Sequence, residues 1–217
     1  MKIDIDWDRV SINEKEIRFQ YPVDDSIVFQ EGVILRLVHQ NKPLNDHDFE
    51  IDNPSRNVVA LTPTGERKWV IESIATGDED SYHRNLWTVQ SRYLTGHTDG
   101  NFEFDPESGE ILEAWSKTEL PIDGSIVDLS GTVQQLFEFN DAIFVRCTDA
   151  THILYAFEAD GTERWRSDAD ERRGLLSVED GHLWEQLAVN RTTDHRYRLD
   201  PETGERLECE EIDTGLW

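Results

Sequence analysis

Histidines close to carboxylates are the residues of this sequence best suited to do chemistry. Neutral imidazole and carboxylate are ligands that Zn²⁺, Fe²⁺ and Mn²⁺ accept in proteins. If equivalent loops of a repeated fold each contribute one imidazole, the side chains can converge on a shared ion. In so acidic a chain most histidines have a nearby carboxylate, so solvated loop histidines are the alternative interpretation. The candidate ligands of a divalent metal are His97, His152 and His195.

An acid-rich segment at residues 40–57 is the second candidate. Its side-chain oxygens could hold Ca²⁺ or Mg²⁺, but it lacks the glycine bend and the closing glutamate of an EF-hand loop. A hydrated surface loop is the simpler interpretation, and as the longest loop of the chain it is predicted to contact a partner. The candidate partner-binding residues are Asp46, His47, Asp48, Glu50 and Asp52.

Signatures of catalysis are missing. The chain has no G-x-S-x-G nucleophile elbow, no phosphate-binding P-loop and no dinucleotide-binding G-x-G-x-x-G, so no catalytic residue is predicted. Carboxylate pairs of the kind that hydrolyse glycosides carry no information, because 46 Asp and Glu residues make such pairs frequent by chance. Cys147 and Cys209 have no C-x-x-C spacing and are predicted to be separate core thiols.

Charge restricts the classes of partner. The 217 residues include 46 Asp+Glu and 21 Lys+Arg, which gives a formal net charge of −25. Because this charge is spread along the chain it repels polyanions, so nucleic acid is not expected as a partner. No run approaches the ~18 apolar residues of a membrane span, and the first residues lack the apolar core of a signal peptide. We therefore expect a cytoplasmic protein without membrane contact, whose partner is another protein or a small ligand.

Few lysines among dense carboxylates resemble the proteins of salt-adapted archaea. In multimolar salt, with a Debye length of about 3 Å or less, the self-repulsion of such a surface is largely screened. Carboxylates then mainly keep the surface hydrated and soluble. The acidic composition thus indicates adaptation to a salty cytoplasm, with an acidic surface for one basic partner as the alternative.

A repeated turn indicates which elements would position these residues. An Asp or Thr opens each turn and a Gly accepts the positive φ that returns the chain, which is the chemistry of a tight hairpin. The turns recur about 45 residues apart, the period of propeller blades. They are centred on Gly65, Gly109, Gly161 and Gly204.

A second hairpin precedes each of these turns. Alternating apolar segments flank Glu31-Gly32, Gln90-Ser91, Asn140-Asp141 and Asp180-Gly181. Each repeat therefore reads strand, turn, strand, loop, strand, turn, strand. Four-stranded antiparallel units of this kind are typical of β-propellers.

The repeats resemble those of the pyrroloquinoline-quinone (PQQ) enzyme family, whose blades end Ala-x-Asp-x-x-Thr-Gly-x-x-x-Trp and dock through that tryptophan. Ala60, Gly65 and Trp69 keep the ends of the pattern, as do Ala156, Gly161 and Trp165, but both are one residue short in the middle. The turns at Gly109 and Gly204 fit the centre and lack the tryptophan. The resemblance implies blade architecture. PQQ itself is not expected, because the sequence lacks adjacent cysteines, and no cofactor other than the candidate divalent metal is predicted.

We therefore predict an all-β fold, a small β-propeller of four to five antiparallel four-stranded blades. A β-sandwich built from the same hairpins is the alternative. Residues 1–217 would form a single propeller-like domain, with a hairpin in residues 1–24 and the segment 211–217 closing the ring. The approximate repeat units are 25–73, 84–118, 132–168 and 173–210.

The function predicted from these features is a non-catalytic interaction or ligand-sensing module of a halophile. The alternative is a metal-dependent hydrolase or lyase that uses the histidines of the loop face.

Overall fold

The chain is built from β-strands. The computed structural model describes residues 1–38, 44, 46–51, 53, 56–72, 82–149, 153–167, 174–190 and 193–213. Within these ranges the elements are 21 strands in six sheets, four of them four-stranded and antiparallel. The predictions of an all-β fold and of four-stranded antiparallel sheets are confirmed. No helix in the described ranges is long and apolar enough to cross a membrane.

The chain divides into two compact units, and unit 1 comprises Met1–Lys117. It holds three sheets. Sheet I contains β1 (Ile3–Asp6), β2 (Arg9–Ile12) and β3 (Lys15–Arg18). Sheet II contains β4 (Val23–Phe29), β5 (Gly32–Leu37), β6 (Val58–Leu61) and β7 (Arg67–Val70). Sheet III contains β8 (His83–Val89), β9 (Arg92–His97), β10 (Asn101–Phe104) and β11 (Ile111–Trp115).

Unit 2 comprises Thr118–Trp217 and also holds three sheets in its described residues. Sheet IV contains β12 (Glu119–Ile122) and β13 (Ser125–Asp128). Sheet V contains β14 (Thr132–Phe139), β15 (Ala142–Thr148), β16 (Leu154–Glu158) and β17 (Glu163–Arg166). Sheet VI contains β18 (Leu175–Glu179), β19 (His182–Ala188), β20 (Thr193–Leu199) and β21 (Arg206–Asp213).

Sheet II is covered on both faces. Successive side chains of a strand point to opposite faces, and in β5 Val33 and Leu35 belong to a core shared with sheet I. Between them, Ile34 packs in a second core that includes Leu86 and Phe104 of sheet III. The continuous apolar run of β5 is therefore explained by burial on both faces.

The inner hairpins close through two-residue turns with positive φ at both positions. The angles are 50° and 60° at Gln90 and Ser91, 49° and 60° at Asn140 and Asp141, and 50° and 73° at Asp180 and Gly181. Such turns match the right-handed twist of paired strands and fix their register. This register decides which side chains of sheets III, V and VI share a face.

A tryptophan joins the two four-stranded sheets of each unit. The ring of Trp69 in sheet II lies on the turn of sheet III, where a Cβ on Gly109 would come within 2.6 Å of the ring. Its Nε1–H donates to the carbonyl of Pro106 at 2.9 Å. In unit 2, Trp165 lies on Gly204 in the same way and donates to the carbonyl of Pro201 at 2.9 Å.

The short sheets make a related contact. In unit 1 the Cδ1 of Ile17 in sheet I would lie 2.9 Å from a Cβ on Gly65. In unit 2 the side chain of Ile122 in sheet IV would lie 3.6 Å from a Cβ on Gly161. Each unit is therefore a row of three sheets in which one sheet covers the turn glycine of the next. The pattern stops at sheets III and VI, where the residue four positions after the glycine is an exposed glutamate, Glu113 or Glu208.

Several expectations need correction. The hairpin predicted in residues 1–24 is a three-stranded sheet over residues 3–18, because a further turn at Asn13-Glu14 adds β3. The hairpin β12–β13 was not anticipated. Cys147 is buried as predicted, but Cys209 is exposed on β21, and both thiols are free. The single domain, the repeat boundaries and the ring closed by residues 211–217 stay predictions, since β21 ends at Asp213 and residues 214–217 lie outside the described ranges.

We expect the tryptophan contact to be the main support of each unit. Replacing Trp165 by Ala should lower the free energy of unfolding of unit 2, by less than the about 3–5 kcal/mol typical of fully buried aromatic side chains, because Trp165 is only partly buried. The Gly204→Ala change should cost more than Gly181→Ala, because both glycines have φ of +73° but only Gly204 lies against a ring. Urea unfolding of the three variants measures both differences. Equal costs for the two glycine changes would contradict the contact.

Candidate functional site

The predicted metal ligands lie in different units. His97 ends β9 of unit 1, and His195 lies in β20 of unit 2. His152 lies outside the described residues. Nδ1 of His195 is 3.0 Å from the hydroxyl of Tyr197, a contact within its own strand. Among the described residues no group of three His, Cys, Asp or Glu side chains could hold a metal ion. The shared metal site and the metal-dependent enzyme stay predictions.

His97 has a neighbour that the sequence did not indicate. His83 is its partner in the register of β8 and β9, and the centroids of the two rings are 5.0 Å apart at an interplanar angle of 63°. Both side chains are buried, and the ring of Phe102 packs edge-on against His97. Nε2 of each imidazole is buried and has no hydrogen-bond partner among the described residues. Sheet III therefore holds a buried imidazole pair, His83 and His97.

The hydrogen bonds assign the tautomer of each ring. The hydroxyl of Thr95 donates to the carbonyl of Asn85 at 2.9 Å, so it accepts from Nδ1–H of His83 at 3.0 Å. Neutral His83 therefore carries its proton on Nδ1. Nδ1 of His97 accepts the backbone N–H of Asp99 at 3.2 Å, which places the proton of neutral His97 on Nε2.

Burial keeps both imidazoles neutral. Burial, together with the charges of His97 and Arg36, lowers the pKa of His83 to about 3. Burial also lowers the pKa of His97, which the carboxylate of Asp99 partly opposes.

Polar side chains also connect sheet II to sheet III next to this pair. Asn57 accepts the backbone N–H of His83 at 2.9 Å and donates to its carbonyl at 2.9 Å. Asp25 accepts the backbone N–H of Leu86 at 3.0 Å. The imidazole pair is thus held at the junction of the two sheets.

The acid-rich segment is attached to sheet I. The carboxylate of Asp48 accepts the backbone N–H of Arg18 at 3.1 Å, and Phe49 forms a parallel bridge with Phe19. Nδ1 of His47 lies 2.9 Å from the carbonyl of Leu44. Asp46 is exposed and has a positive φ of 58°. The fifth predicted residue, Asp52, lies outside the described ranges.

A groove of about 690 Å³ lies between this segment, β3 and the β6–β7 hairpin. Its apolar floor is formed by Ile17 and Phe49. Its charged rim consists of Lys15, Glu16, Asp48, Glu50 and Arg67. Two of the predicted partner-binding residues, Asp48 and Glu50, therefore belong to this rim. Their role in binding a partner stays a prediction.

Among the described residues, the charged side chains of this groove form no ion pair with one another. Nζ of Lys15 donates to the carbonyls of Thr64 and Gly65 at 3.2 and 3.0 Å. The guanidinium of Arg67 lies over the ring of Phe49, 5.5 Å from its centroid. Among the described residues no carboxylate lies within ion-pair distance of Lys15 or Arg67, and no cation lies within that distance of Glu50.

A second cavity of about 260 Å³ shares Glu50 and Arg67 with this groove. Arg56 lines it, and its guanidinium donates to the carbonyls of Ile71 and Val70 at 2.7 and 3.2 Å. Sequence reasoning did not identify Lys15, Arg56 or Arg67. The sequence contained one indication for Arg67. It lies two residues after the turn glycine Gly65, in the same repeat as the acid-rich segment 40–57.

Residues 1–116 match the family described as Domain of unknown function (DUF7957). The chain belongs to this family. The DUF7957 match ends at residue 116, and unit 1 ends one residue later, at Lys117. The groove and the imidazole pair therefore both lie within the DUF7957 domain, and no curated protein matches the chain.

Solved structures similar to the chain include designed and natural proteins. The computationally designed Ika8 protein has a TM-score of 0.53 at 14% identity, over 96% of this chain and 57% of that one. The Dos1 propeller has a TM-score of 0.48 at 11% identity, over 97% and 52%. BamB from Moraxella catarrhalis has a TM-score of 0.44 at 13% identity, over 86% and 47%. At these identities the first likeness concerns the fold alone, and the other two scores are too low to support an argument. The chain spans about half the length of these structures.

We expect the buried imidazoles to make unit 1 sensitive to mild acid. Because the pKa of His83 falls to about 3 in the folded state, the unfolded state gains its proton first as the pH drops below about 6.5. Stability should then fall by up to about 1.4 kcal/mol per pH unit for this group. Burial raises the pKa of Asp24 and Asp25. Near the pH at which carboxyl groups ordinarily titrate, these two groups therefore make the folded state more stable as the pH falls, opposite to the effect of His83.

Urea unfolding at several pH values measures this slope. The His83→Gln variant should lose most of it, whereas His182→Gln, which changes an exposed histidine, should keep it. An unchanged slope in His83→Gln would contradict the assignment.

Proposed function

We propose that this chain is a non-catalytic interaction or ligand-sensing module of the β-propeller type, and that the groove of unit 1 receives the ligand. The observation that carries the proposal is Arg67, which has no carboxylate partner among the described residues although the chain has a net charge of −25. Two other cations of unit 1 have such partners. Lys68 pairs with Glu31 and Glu107, and Arg92 pairs with Glu103 and Glu113.

The chemistry of the groove favours a ligand that carries both charge signs. Arg67 is oriented by Phe49, and a guanidinium held on an aromatic face is prepared to bind a carboxylate. Glu50 lines the same groove and offers an acceptor for an ammonium group. Ile17 and Phe49 provide an apolar floor between these charges. A short peptide segment with a free carboxylate and a free ammonium satisfies all three features.

Titration with tetraglycine, observed by amide NMR, tests the proposed site. The peptide with free termini should shift the amides of Lys15, Phe49 and Arg67, whereas tetraglycine blocked at both ends should not. The Arg67→Gln variant should bind about tenfold more weakly, a loss of about 1.4 kcal/mol. Arg166→Gln in unit 2 changes an exposed arginine and should leave the affinity unchanged. Equal binding by the blocked peptide, or by Arg67→Gln, would contradict the proposal.

We also propose that the module belongs to a salt-adapted organism and acts in its cytoplasm. The support is the net charge of −25 together with the scarcity of lysine. Thermal unfolding should move to higher temperature between about 0.1 M and about 3 M KCl, because salt screens the repulsion among carboxylates. Sucrose at matched osmolality is the control for effects that do not depend on charge. An unchanged Tm across the KCl series would count against salt adaptation.

A further inference from the structure

The second cavity of unit 1 contains a guanidinium that does not line the groove. Arg56 is half-buried, and its Nε–H and one terminal N–H donate to the carbonyls of Ile71 and Val70 at 2.7 and 3.2 Å. These two bonds fix the plane of the guanidinium, and its other N–H donors have no acceptor among the described residues. No carboxylate of the described ranges lies within ion-pair distance of Arg56 either. Its charge is therefore available to a ligand.

Arg56 shares this cavity with a second guanidinium, that of Arg67. The ring of Phe49 orients Arg67, whose Cζ lies 5.5 Å from the ring centroid. Two like charges on one small cavity repel each other, and a bound anion relieves this repulsion. A carboxylate matches the planar fork of a guanidinium and has enough lone pairs to accept from two of them. The arginine pair therefore favours a carboxylate.

The carboxylate of Glu50 restricts this choice further. Glu50 lines the cavity as well as the groove, and it is exposed. It repels a ligand that is only an anion, but it accepts a hydrogen bond from an N–H of the ligand. A ligand group that places an N–H next to a carboxylate satisfies both the arginines and Glu50. The C-terminal residue of a peptide is such a group, because one carbon atom separates its N–H from its carboxylate.

The rest of the cavity wall is apolar and attached to the core. Ile51 is 5% exposed and belongs to the core that sheets I and II share, and Val70 packs against the same core. The backbone N–H of Ile51 donates to the buried side chain of Gln20 at 3.1 Å. The cavity of about 260 Å³ has the volume of about nine water molecules, at about 30 Å³ each. It is therefore large enough for one terminal residue but not for a longer segment.

We propose that this cavity receives the C-terminal residue of the peptide that binds in the groove. Arg56 and Arg67 bind its carboxylate, Glu50 accepts its N–H, and the wall of Ile51 and Val70 selects an apolar side chain. The proposal rests on the groove being the ligand site, and it adds that the C-terminal residue determines which peptides bind.

Three peptides test the choice of the terminal residue when they are titrated into the full chain and observed by amide NMR. Triglycyl-leucine should bind about tenfold more tightly than tetraglycine or triglycyl-serine, because its side chain leaves water for an apolar wall. It should also shift the amides of Ile51, Arg56 and Val70. Equal affinities of the leucine and serine peptides would overturn the proposal.

The same titrations separate this proposal from the proposed function. If tetraglycine shifts the amides of Lys15, Phe49 and Arg67 but the leucine side chain adds no affinity, the groove is the ligand site and the role of the second cavity is wrong. If none of the three peptides binds, both proposals are wrong.

The Arg56→Gln variant tests the carboxylate contact. Triglycyl-leucine should bind this variant about tenfold more weakly. Triglycyl-leucine amide, which has no carboxylate, should bind the variant and the unchanged protein equally. A purely structural role of Arg56 would weaken both peptides alike, and that result would overturn the proposal. Arg166→Gln changes an exposed arginine of unit 2 and should leave both affinities unchanged.

A comparison on the unchanged protein does not depend on the folding of the variant. Triglycyl-leucine should bind more tightly than its amide, and equal binding would overturn the proposal even if Arg56→Gln did not fold. Far-ultraviolet circular dichroism shows whether each variant is folded.

Discussion

The packing of an aromatic ring on a glycine turn is the interaction on which the rest of the structure depends. A four-stranded sheet of this length has two faces and cannot bury both by itself. Trp69 and Trp165 cover part of one face by packing on Gly109 and Gly204, which have no side chain. Each indole N–H also donates a hydrogen bond to a carbonyl of the same turn. Because the indole N–H is paired, neither ring leaves its polar atom unsatisfied at the contact. A Cβ at either glycine would displace the ring and separate the sheets.

Elements that depend on neighbours in sequence could be predicted, and those that depend on distant contacts could not. The hairpin turns follow from local chemistry, and so does the position of the two tryptophans four residues past a glycine. The hairpin β12–β13 could also have been predicted, since the turn dipeptide Asp123-Gly124 lies between short apolar segments. In the structure these two residues have φ values of 44° and 75°. It was missed because its strands have only four residues each and do not repeat the longer pattern.

The candidate sites required the register and the docking of sheets. His83 and His97 are partners only because the turn at Gln90-Ser91 fixes the pairing of β8 with β9. Lys15 and Arg67 border one groove only because Ile17 of sheet I covers Gly65. Neither arrangement can be recognised from the spacing of residues along the chain. Carboxylates are so frequent in this chain that their positions do not distinguish a binding site from the rest of the surface.

The two units use the same sheet packing, and both contain buried polar groups that are satisfied to different extents. In unit 2, Glu185 is fully buried on β19, and its two oxygens accept from the backbone N–H of Gly174 at 2.7 Å and from Arg206 at 2.8 Å. That group is satisfied and has a structural explanation. In unit 1 the imidazoles of His83 and His97 each leave a buried nitrogen without a partner in the part of the chain that the structure describes. Buried arginine nitrogens without a partner among the described residues also occur in unit 2, at Arg146 and Arg198, so unsatisfied polar groups do not distinguish the two units.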